Sequence, residues 1–400
     1  METPRSSSET QARVPSAKAA TQFIIALGLI SLFADVTYEG ARSINGPFLA
    51  QLGAGAAVIG IVSGAGELAG YILRLVSGTA ADRTHAYWPI TIAGYVINLC
   101  AVPLMTLSNH WIAASALIIA ERAGKGIRTP ARDVMLSQAS NIIGRGWGFG
   151  LHEFMDQLGA FAGPLMVALV VSQSHEYSRA YALLAFPAAL ALATLFASIK
   201  AYPDPSRFEE PKPHEAARHG GFPREFWIYV IAGGLLAAGF VDYPLMAFHF
   251  EKANVVSPAV IPVFYSVAMG VEALMALLFG RLYDRIGTTA VIIGAALSAM
   301  SSPLVFFGSF YPALAGVALW GAGMGAQQSA LRARIAEIVP SERRGSAYGI
   351  FNTVYGVLWF AGSSAIGILY GRSMDGAVSF AVVAQFAAMP LLWSVRRKSV

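Results

Sequence analysis

Eleven ionisable side chains lie inside long apolar stretches of this 400-residue chain: Asp35, Glu39, Arg42, Glu67, Arg74, Glu121, Arg122, Glu153, Asp156, Asp242 and Glu272. A charge facing lipid at mid-bilayer costs about 2.5–3.5 kcal/mol on insertion scales, so eleven would cost roughly 30 kcal/mol. Most must therefore face a wet cavity, pair with one another, or carry a proton. Asp35, Glu39 and Arg42 recur at i, i+4 and i+7, which puts them on one helix face. Glu67, Tyr71 and Arg74 share a second face, and Glu153, Asp156 and Gln157 a third. Eight of the eleven are acids, and nine lie in the first half of the chain. Acids held in a low-dielectric cavity can bind and release protons near neutral pH. A proton-coupled carrier requires that. The same acid surplus suits a cationic substrate, and the two roles can compete at one carboxylate.

The expected binding set for proton or substrate is Asp35, Glu39, Arg42, Glu67, Arg122, Glu153, Asp156 and Asp242. Within it, Asp35, Glu39 and Asp156 bind, and Arg122 tunes a nearby acid. Asp35→Asn is expected to abolish pH-driven exchange in a folded protein. The plainer reading is structural pairing, Glu39 with Arg42 and Glu67 with Arg74, while Glu121 and Glu272 can equally face a neighbouring helix. In the second half, Asp242, Tyr243, Met246, His249 and Phe250 fall along one stripe. Trp320, Asn352, Tyr355 and Trp359 add aromatic and amide surface to a cavity wall that could stack on amphipathic or cationic molecules. Ordinary helix packing explains such a wall as well. His152 and His249 stand alone without metal-ligand spacing, so no metal and no cofactor is expected.

The elements that carry these residues are membrane helices. The chain is 56% hydrophobic and 13% charged with mean hydropathy +0.56, whereas ordinary soluble proteins are about a quarter charged. Each crossing needs roughly 20 apolar residues. Apolar stretches at 21–50, 56–81, 87–107, 111–138, 145–172, 178–200, 225–250, 258–283, 288–308, 311–337, 345–371 and 376–395 supply twelve. Residues 201–224, rich in Pro, Gly and charge, read as a solvated linker between two six-helix bundles, 21–200 and 225–395. Polar tails at 1–20 and 396–400 flank them, the first of them read as disordered and without a secretory signal. Cys100 has no partner, so a disulfide scaffold is excluded. The fold class is an all-α membrane protein of twelve transmembrane helices in two six-helix pseudo-repeats.

Charge position sets the expected topology. With both termini cytoplasmic, 22 Lys/Arg fall inside, three outside (Arg179, Lys252, Arg372) and three within helices (Arg42, Arg74, Arg122). That is the positive-inside pattern of a multi-pass plasma (inner) membrane protein, and the basic balance needs no nucleic acid to explain it. Basic clusters at 332–344 and 396–398 can touch anionic lipid headgroups. Trp88, Trp111, Trp147, Trp227 and Trp393 fall near span ends, as interfacial belts do.

The halves repeat. Gly78-Thr-Ala-Ala-Asp82-Arg83 follows the second span, and Gly280-Arg-Leu-Tyr-Asp284-Arg285-Ile-Gly287 the eighth, 202 residues later. Gly124-Lys-Gly126 and Gly323-Met-Gly325 recur at an offset of 199, as do Arg145-Gly146 and Arg344-Gly345. Repeated halves suit a carrier whose site lies between them. From about residue 22 to 395 the chain resembles the major facilitator superfamily. The loop motif G-x-L-x-D-R-x-G is met by Gly78, Asp82 and Arg83, with Ala80 and His85 departing from it, and more fully by Gly280, Leu282, Asp284, Arg285 and Gly287. Arg122 and Gly126 resemble the R-x-x-Q-G element, with Lys125 in place of Gln. Gly159, Gly163 and Pro164 are similar to the G-x-x-x-G-P element of proton-exchanging exporters. Phe33-Ala-Asp35-Val-Thr-Tyr-Glu39 and the run from Gly124 to Asp133 look like one bacterial branch with mostly unassigned substrates. The resemblance implies the superfamily fold, alternating access, and gating by the two loop motifs, for which Arg132 and Asp133 are plausible partners. It names no substrate.

Several classes are excluded on motif grounds. There is no HExxH, no GxSxG with a later acid and His, and no P-loop, so neither a hydrolase nor an ATP-driven pump is expected. The expected function is a rocker-switch secondary transporter, proton-coupled and exporting a small organic molecule. A metabolite importer, a metal-ion exporter and a non-transporting receptor are the alternatives. One chain provides one pathway, so a monomer is expected.

Overall fold

The computed structural model describes residues 16–205, 221–339 and 343–396. The expected tail up to residue 15, the linker stretch 206–220 and the basic residues beyond 396 lie outside the described residues, as does the side chain of Arg332. The fold is all-α: α1 (Ala17–Arg42), α2 (Asn45–Gln51), α3 (Ala56–Thr84), α4 (Tyr87–Leu104), α5 (Trp111–Ile143), α6 (Arg145–Ser174), α7 (Tyr177–Leu183) and α8 (Ala185–Ala201) form the first half. The second comprises α9 (Arg224–Gly239), α10 (Tyr243–Lys252), α11 (Val260–Ile286), α12 (Thr288–Phe307), α13 (Phe310–Ile338), α14 (Arg344–Arg372) and α15 (Met374–Ser394).

Three of the twelve expected spans are interrupted. The stretch 21–50 divides into α1 and α2, 178–200 into α7 and α8, and 225–250 into α9 and α10. Each restart has a proline in its first turn: Pro47, Pro187 and Pro244. Proline lacks the N–H that would bond back to the preceding turn but fits the first turn of a new helix. At the first break, the Ser43 hydroxyl also donates to the Gly40 carbonyl at 2.6 Å, diverting the backbone. Pro130 and Pro164, by contrast, sit inside unbroken α5 and α6.

Among the described residues, ten helical segments are long and apolar enough to cross a membrane. The other two long rods are α5, which carries Glu121, Arg122, Lys125, Arg128 and Arg132, and α13, rich in Gly and containing Gln327 and Gln328. They are less apolar because their faces meet protein rather than lipid. Outward-facing Ile72, Leu75, Phe154, Leu169, Phe186, Leu274, Leu277 and Val383 supply lipid-facing surface instead.

The repeated glycines do the same job in both halves. A Cβ on Gly124 would run into the Asn98 backbone of α4, and one on Gly323 into Ser298 of α12. Gly126 lies against Gly70 of α3, and Gly325 against Glu272 and Ala276 of α11. Small residues let helix backbones approach, and here they seat α5 and α13 between two neighbours each. In α6, Gly159 and Gly163 bear on Leu32 and Val36 of α1. The element Gly159–Gly163–Pro164 therefore docks α6 onto the helix that carries Asp35 and Glu39.

The halves meet firmly at the face formed by α2, α10 and the ends of α3 and α14. Gly46 abuts the Pro244 carbonyl, Gly60 abuts Ser363 and Gly367, and Tyr177 donates to Glu251 at 3.0 Å. The Ser266 hydroxyl donates to the Phe161 carbonyl at 2.7 Å. At the opposite face, which carries both chain ends, Asp82, Arg83, Asp284 and Arg285 are all exposed.

The two loop motifs end their helices with the same reversal. Gly287 has φ +58° and ψ −139°, a conformation open essentially to glycine. His85, at the matching place in the first copy, has φ +53° and ψ 18°, the left-handed helical region. A non-glycine residue there is strained. His85→Gly is expected to stabilise the protein by roughly 0.5–1 kcal/mol, the strain relieved less the entropy of the freer unfolded chain. A melting temperature in detergent that falls instead would show that the His85–Tyr87 hydrogen bond at 3.1 Å outweighs the strain.

Candidate functional site

The intramembrane charges form a ladder between two antiparallel helices. On α1, Ser31, Asp35, Glu39 and Arg42 are spaced four, four and three residues apart. On α5, Arg132, Arg128, Lys125 and Arg122 descend at four, three and three. Both sets fall on one face of their helix, so the rungs align in order. Arg132 Nη1 donates to Ser31 Oγ at 3.0 Å. Arg128 Nη2 lies 3.9 Å from Asp35 Oδ1. Lys125 Nζ lies 3.5 Å from Glu39 Oε1. At the last rung the two arginines share Glu67 of α3, at 3.1 Å from Arg42 and 3.7 Å from Arg122.

Aromatic rings and a further helix complete it. Lys125 Nζ sits 4.0 Å from the centre of the Tyr38 ring, and the Arg128 guanidinium 4.3 Å from that of Tyr95. Arg128 also donates to the Tyr95 hydroxyl at 2.9 Å. Asp156 of α6 lies 3.7 Å from Arg132 and 3.5 Å from His152, whose Nε2 is 3.1 Å from Ser31. Glu121 accepts from Asn98 at 2.9 Å and lies 3.3 Å from Arg122. Lys125 is the most accessible ladder cation, its side chain 28% exposed against 11% or less for the four arginines. The ladder also reaches the other half: Tyr265 of α11 donates its hydroxyl to Glu39 Oε2 at 2.5 Å.

Two expectations are corrected here. Lys125, Arg128 and Arg132, assigned to the basic inner side, lie within α5 and pair with acids of α1 and α6, because an unpaired charge there would be costly. The acid surplus of the first half therefore vanishes. Asp35, Glu39, Glu67, Glu121 and Asp156 each have a basic side chain within 4.0 Å. Among the described residues, Glu153 is exposed and accepts only from Gln157, at 3.1 Å. The pairs Glu39–Arg42 and Glu67–Arg74 expected along single helices are replaced by pairs between helices. Arg74 instead stacks on Tyr71, 5.7 Å from the ring centre.

In the second half, Asp242 sits at the α9–α10 break. It accepts from Trp359 Nε1 at 2.9 Å and from the Ser363 hydroxyl. Trp320 Nε1 donates to the neighbouring Val241 carbonyl at 2.8 Å, and the Tyr355 hydroxyl to Gln327 Oε1 at 2.7 Å. Tyr243 is buried beside Tyr265, ring centres 4.4 Å apart. His249 lies elsewhere, bonded to the Tyr370 hydroxyl at 2.8 Å and packed on Phe306. Asn352 is half-buried. Of the loop-motif residues, a Cβ at Gly78 would meet Pro130 at 3.5 Å, while one at Gly280 would meet nothing within 4 Å. Among the described residues, Asp82, Arg83, Asp284 and Arg285 are in no ion pair; Arg132 and Asp133 pair with each other at 2.8 Å, and Arg132 also lies 3.7 Å from Asp156. Lys125, Arg128, Tyr38, Tyr95 and Tyr265 are site residues that the charge count overlooked. The basic spacing along α5 was the signal that could have exposed the first two.

The chain belongs to the Major Facilitator Superfamily, whose family model matches residues 26–363. It is 39% identical over 386 residues to an uncharacterized protein of Mycobacterium tuberculosis (strain ATCC 25618 / H37Rv), covering 95% of this chain and 94% of that one. It is 25% identical over 363 residues to an uncharacterized MFS-type transporter of Methanocaldococcus jannaschii, covering 87% and 88%. In fold it is similar to the nucleoside transporter NupG, with TM-score 0.75, 14% identity and coverage of 92% and 99%. It is also similar to a POT family transporter solved with 5-aminolevulinic acid, with TM-score 0.76, 11% identity and coverage of 94% and 95%. The protein is thus a multi-pass membrane transporter of this superfamily and not an enzyme.

Removing one partner of a buried pair leaves an uncompensated charge, which costs about 3–5 kcal/mol. Arg128→Met is therefore expected to lower the melting temperature sharply, and Asp35→Asn to do so less, since Arg128 keeps Tyr95. The double variant should recover much of the loss. Strict additivity of the two losses in a double-mutant cycle would mean that the rung is not an interacting pair.

Proposed function

We propose that this transporter is a proton-coupled secondary carrier that exports a small organic molecule by rocking its two halves about the central ladder. The observation that carries the coupling is the double engagement of Glu39. Its carboxylate meets Lys125 of its own half and the Tyr265 hydroxyl of the other. A proton on Glu39 removes the charge that holds Lys125 and weakens the link to Tyr265. Closure at the α2–α10 face then loses a buried contact, and the balance moves toward the alternative state. A ligand shifts a two-state equilibrium only by its differential affinity, and here the proton supplies it.

Other parts of the reading rest on separate support. The Lys/Arg distribution outside the ladder favours a plasma (inner) membrane location with both termini cytoplasmic. The observed conformation is then inward-facing, and the loop-motif residues Asp82, Arg83, Asp284 and Arg285 clamp the cytoplasmic face when it closes. Export is supported by the docking of the Gly159–Pro164 element on α1, the helix bearing Glu39. The nucleoside and 5-aminolevulinic acid named with the similar structures are small polar organic molecules, which supports that substrate size. The expected unit is a monomer with two bundles, 21–200 and 225–395, as independent rocking bodies.

Spin labels at Gln51 and Lys252, introduced as cysteines in a Cys100→Ser background, span the closed face. In nanodiscs, acidic buffer is expected to lengthen the distance between them relative to alkaline buffer. In Glu39→Gln the longer distance should dominate at both pH values. A tenfold change in the open-to-closed ratio corresponds to about 1.4 kcal/mol. If Glu39→Gln responds to pH as the parent does, proton coupling does not run through this carboxylate.

A further inference from the structure

The two halves treat their buried acids differently. Of the second-half acids that lie in the fold's interior, Asp242 and Glu272 have no Lys, Arg or His within 4.0 Å among the described residues. Asp242 is held by Trp359 and Ser363, and Glu272 by Gln328 Nε2 at 2.5 Å. A buried carboxylate with only neutral partners is an open position for a cation. Glu272 is a side-chain pair between α11 and α13 with no enclosure around it that these contacts define. Asp242 has one.

Asp242 is 3% exposed, and the aromatic rings beside it form a continuous wall. Phe240 packs on Trp320 at 5.3 Å and on Trp359 at 5.5 Å between ring centres, and Tyr355 packs on Trp359 at 5.5 Å. These rings come from three places: the α9–α10 break, α13 and α14. A ring face attracts a cation, and Trp attracts it most. A second, independent feature lies on the same wall. Gln327 is 6% exposed and accepts from Tyr355 through Oε1, yet its Nε2 has no acceptor among the described residues. An unmet buried amide donor is costly and is met when a ligand brings an acceptor.

We infer that the Asp242 enclosure is the second half's recognition site for an organic cation, an ammonium-type group on Asp242 with an aromatic body against Trp320, Tyr355 and Trp359. An acceptor atom of the ligand takes the Gln327 amide. This rests on the carrier reading above and gives its substrate a charge class. The rings are closely packed in the observed conformation, so the ligand enters in another state of the cycle. The break at Phe240, Val241 and Asp242 lies outside both helices, so the wall can shift there without unwinding either one. A cation at Asp242 would lie near Arg42 and Glu67, which already neutralise each other at 3.1 Å.

Ethidium, an aromatic cation, serves as the probe, read by its fluorescence on the full-length protein in nanodiscs. Saturable binding is expected, displaced by tetraphenylphosphonium and not by benzoate. Asp242→Asn should weaken it by roughly tenfold or more. Trp359→Phe keeps a ring, loses the indole N–H, and should weaken it by less. Melting curves with the parent's cooperativity establish that each variant is folded. If Asp242→Asn misfolds, Gln327→Leu and Trp359→Ala carry the test, and both should weaken ethidium. Parent-like affinity in folded Asp242→Asn, or the absence of saturable binding by the parent, overturns the inference. The spin-label experiment on Glu39 reads independently of this site. A pH response lost in Glu39→Gln together with parent-like ethidium binding in Asp242→Asn would leave the carrier standing without this cation site.

Discussion

The structure depends on one constraint: charges placed deep between membrane helices must be neutralised by other side chains, because neither lipid nor bulk water is there to do it. α1 and α5 satisfy it jointly. Their polar faces have nearly the same spacing and run antiparallel, so each cation of α5 arrives opposite an acceptor of α1 or of a neighbouring helix. No rung can move alone without stranding a charge. This ties α1, α3, α5 and α6 together, which suits the rocking half of the proposed carrier. The glycines at 124, 126, 159 and 163 serve the same end by bringing the backbones close enough for the rungs to meet.

The second half is built on the same helix plan with different chemistry. Where the middle of α5 carries four cations, that of α13 carries Trp320, Gln327 and Gln328, which bond to the Val241 carbonyl, the Tyr355 hydroxyl and the Glu272 carboxylate. Glycine pairs at equivalent positions keep the packing alike, so one scaffold supports an ionic interior on one side and an aromatic one on the other. Glu39–Tyr265 is the point at which an ionised group of the first half is directly bonded to a side chain of the second. A change in charge at that point is felt by both.

The fold was legible in sequence because it rests on composition and repetition. Twelve apolar stretches and the paired glycine motifs could be read from residue types alone. The helix breaks were not, since hydropathy continues through Ser43, Leu184 and Val241; only Pro47, Pro187 and Pro244, each in the first turn of a restart, marked them. For the site, sequence gave the acids of α1 and missed their partners. Lys125, Arg128 and Arg132 were counted toward the basic inner side by a rule about loops, although their stretch was already assigned to a helix. Pairing between helices depends on which faces meet. Within one sequence, a partner three or four residues away is visible, and one ninety residues away, such as Arg128 for Asp35, is not.

A ladder nearly balanced in charge has a consequence for coupling. A proton that enters it discharges one acid and leaves one cation in excess, and a cationic substrate does the same by addition. Either is tolerated where the surplus can be shared or exposed, and Lys125 is the rung with that freedom, being the most exposed of the five cations and resting on the Tyr38 ring. Arg122, Arg128 and Arg132, with planar groups each held by two or more partners, have no such latitude. In the proposed carrier, a lysine at the rung that also touches the other half suits a coupling point: one labile cation, one acid shared between halves, and tighter rungs on either side to confine the response to that level.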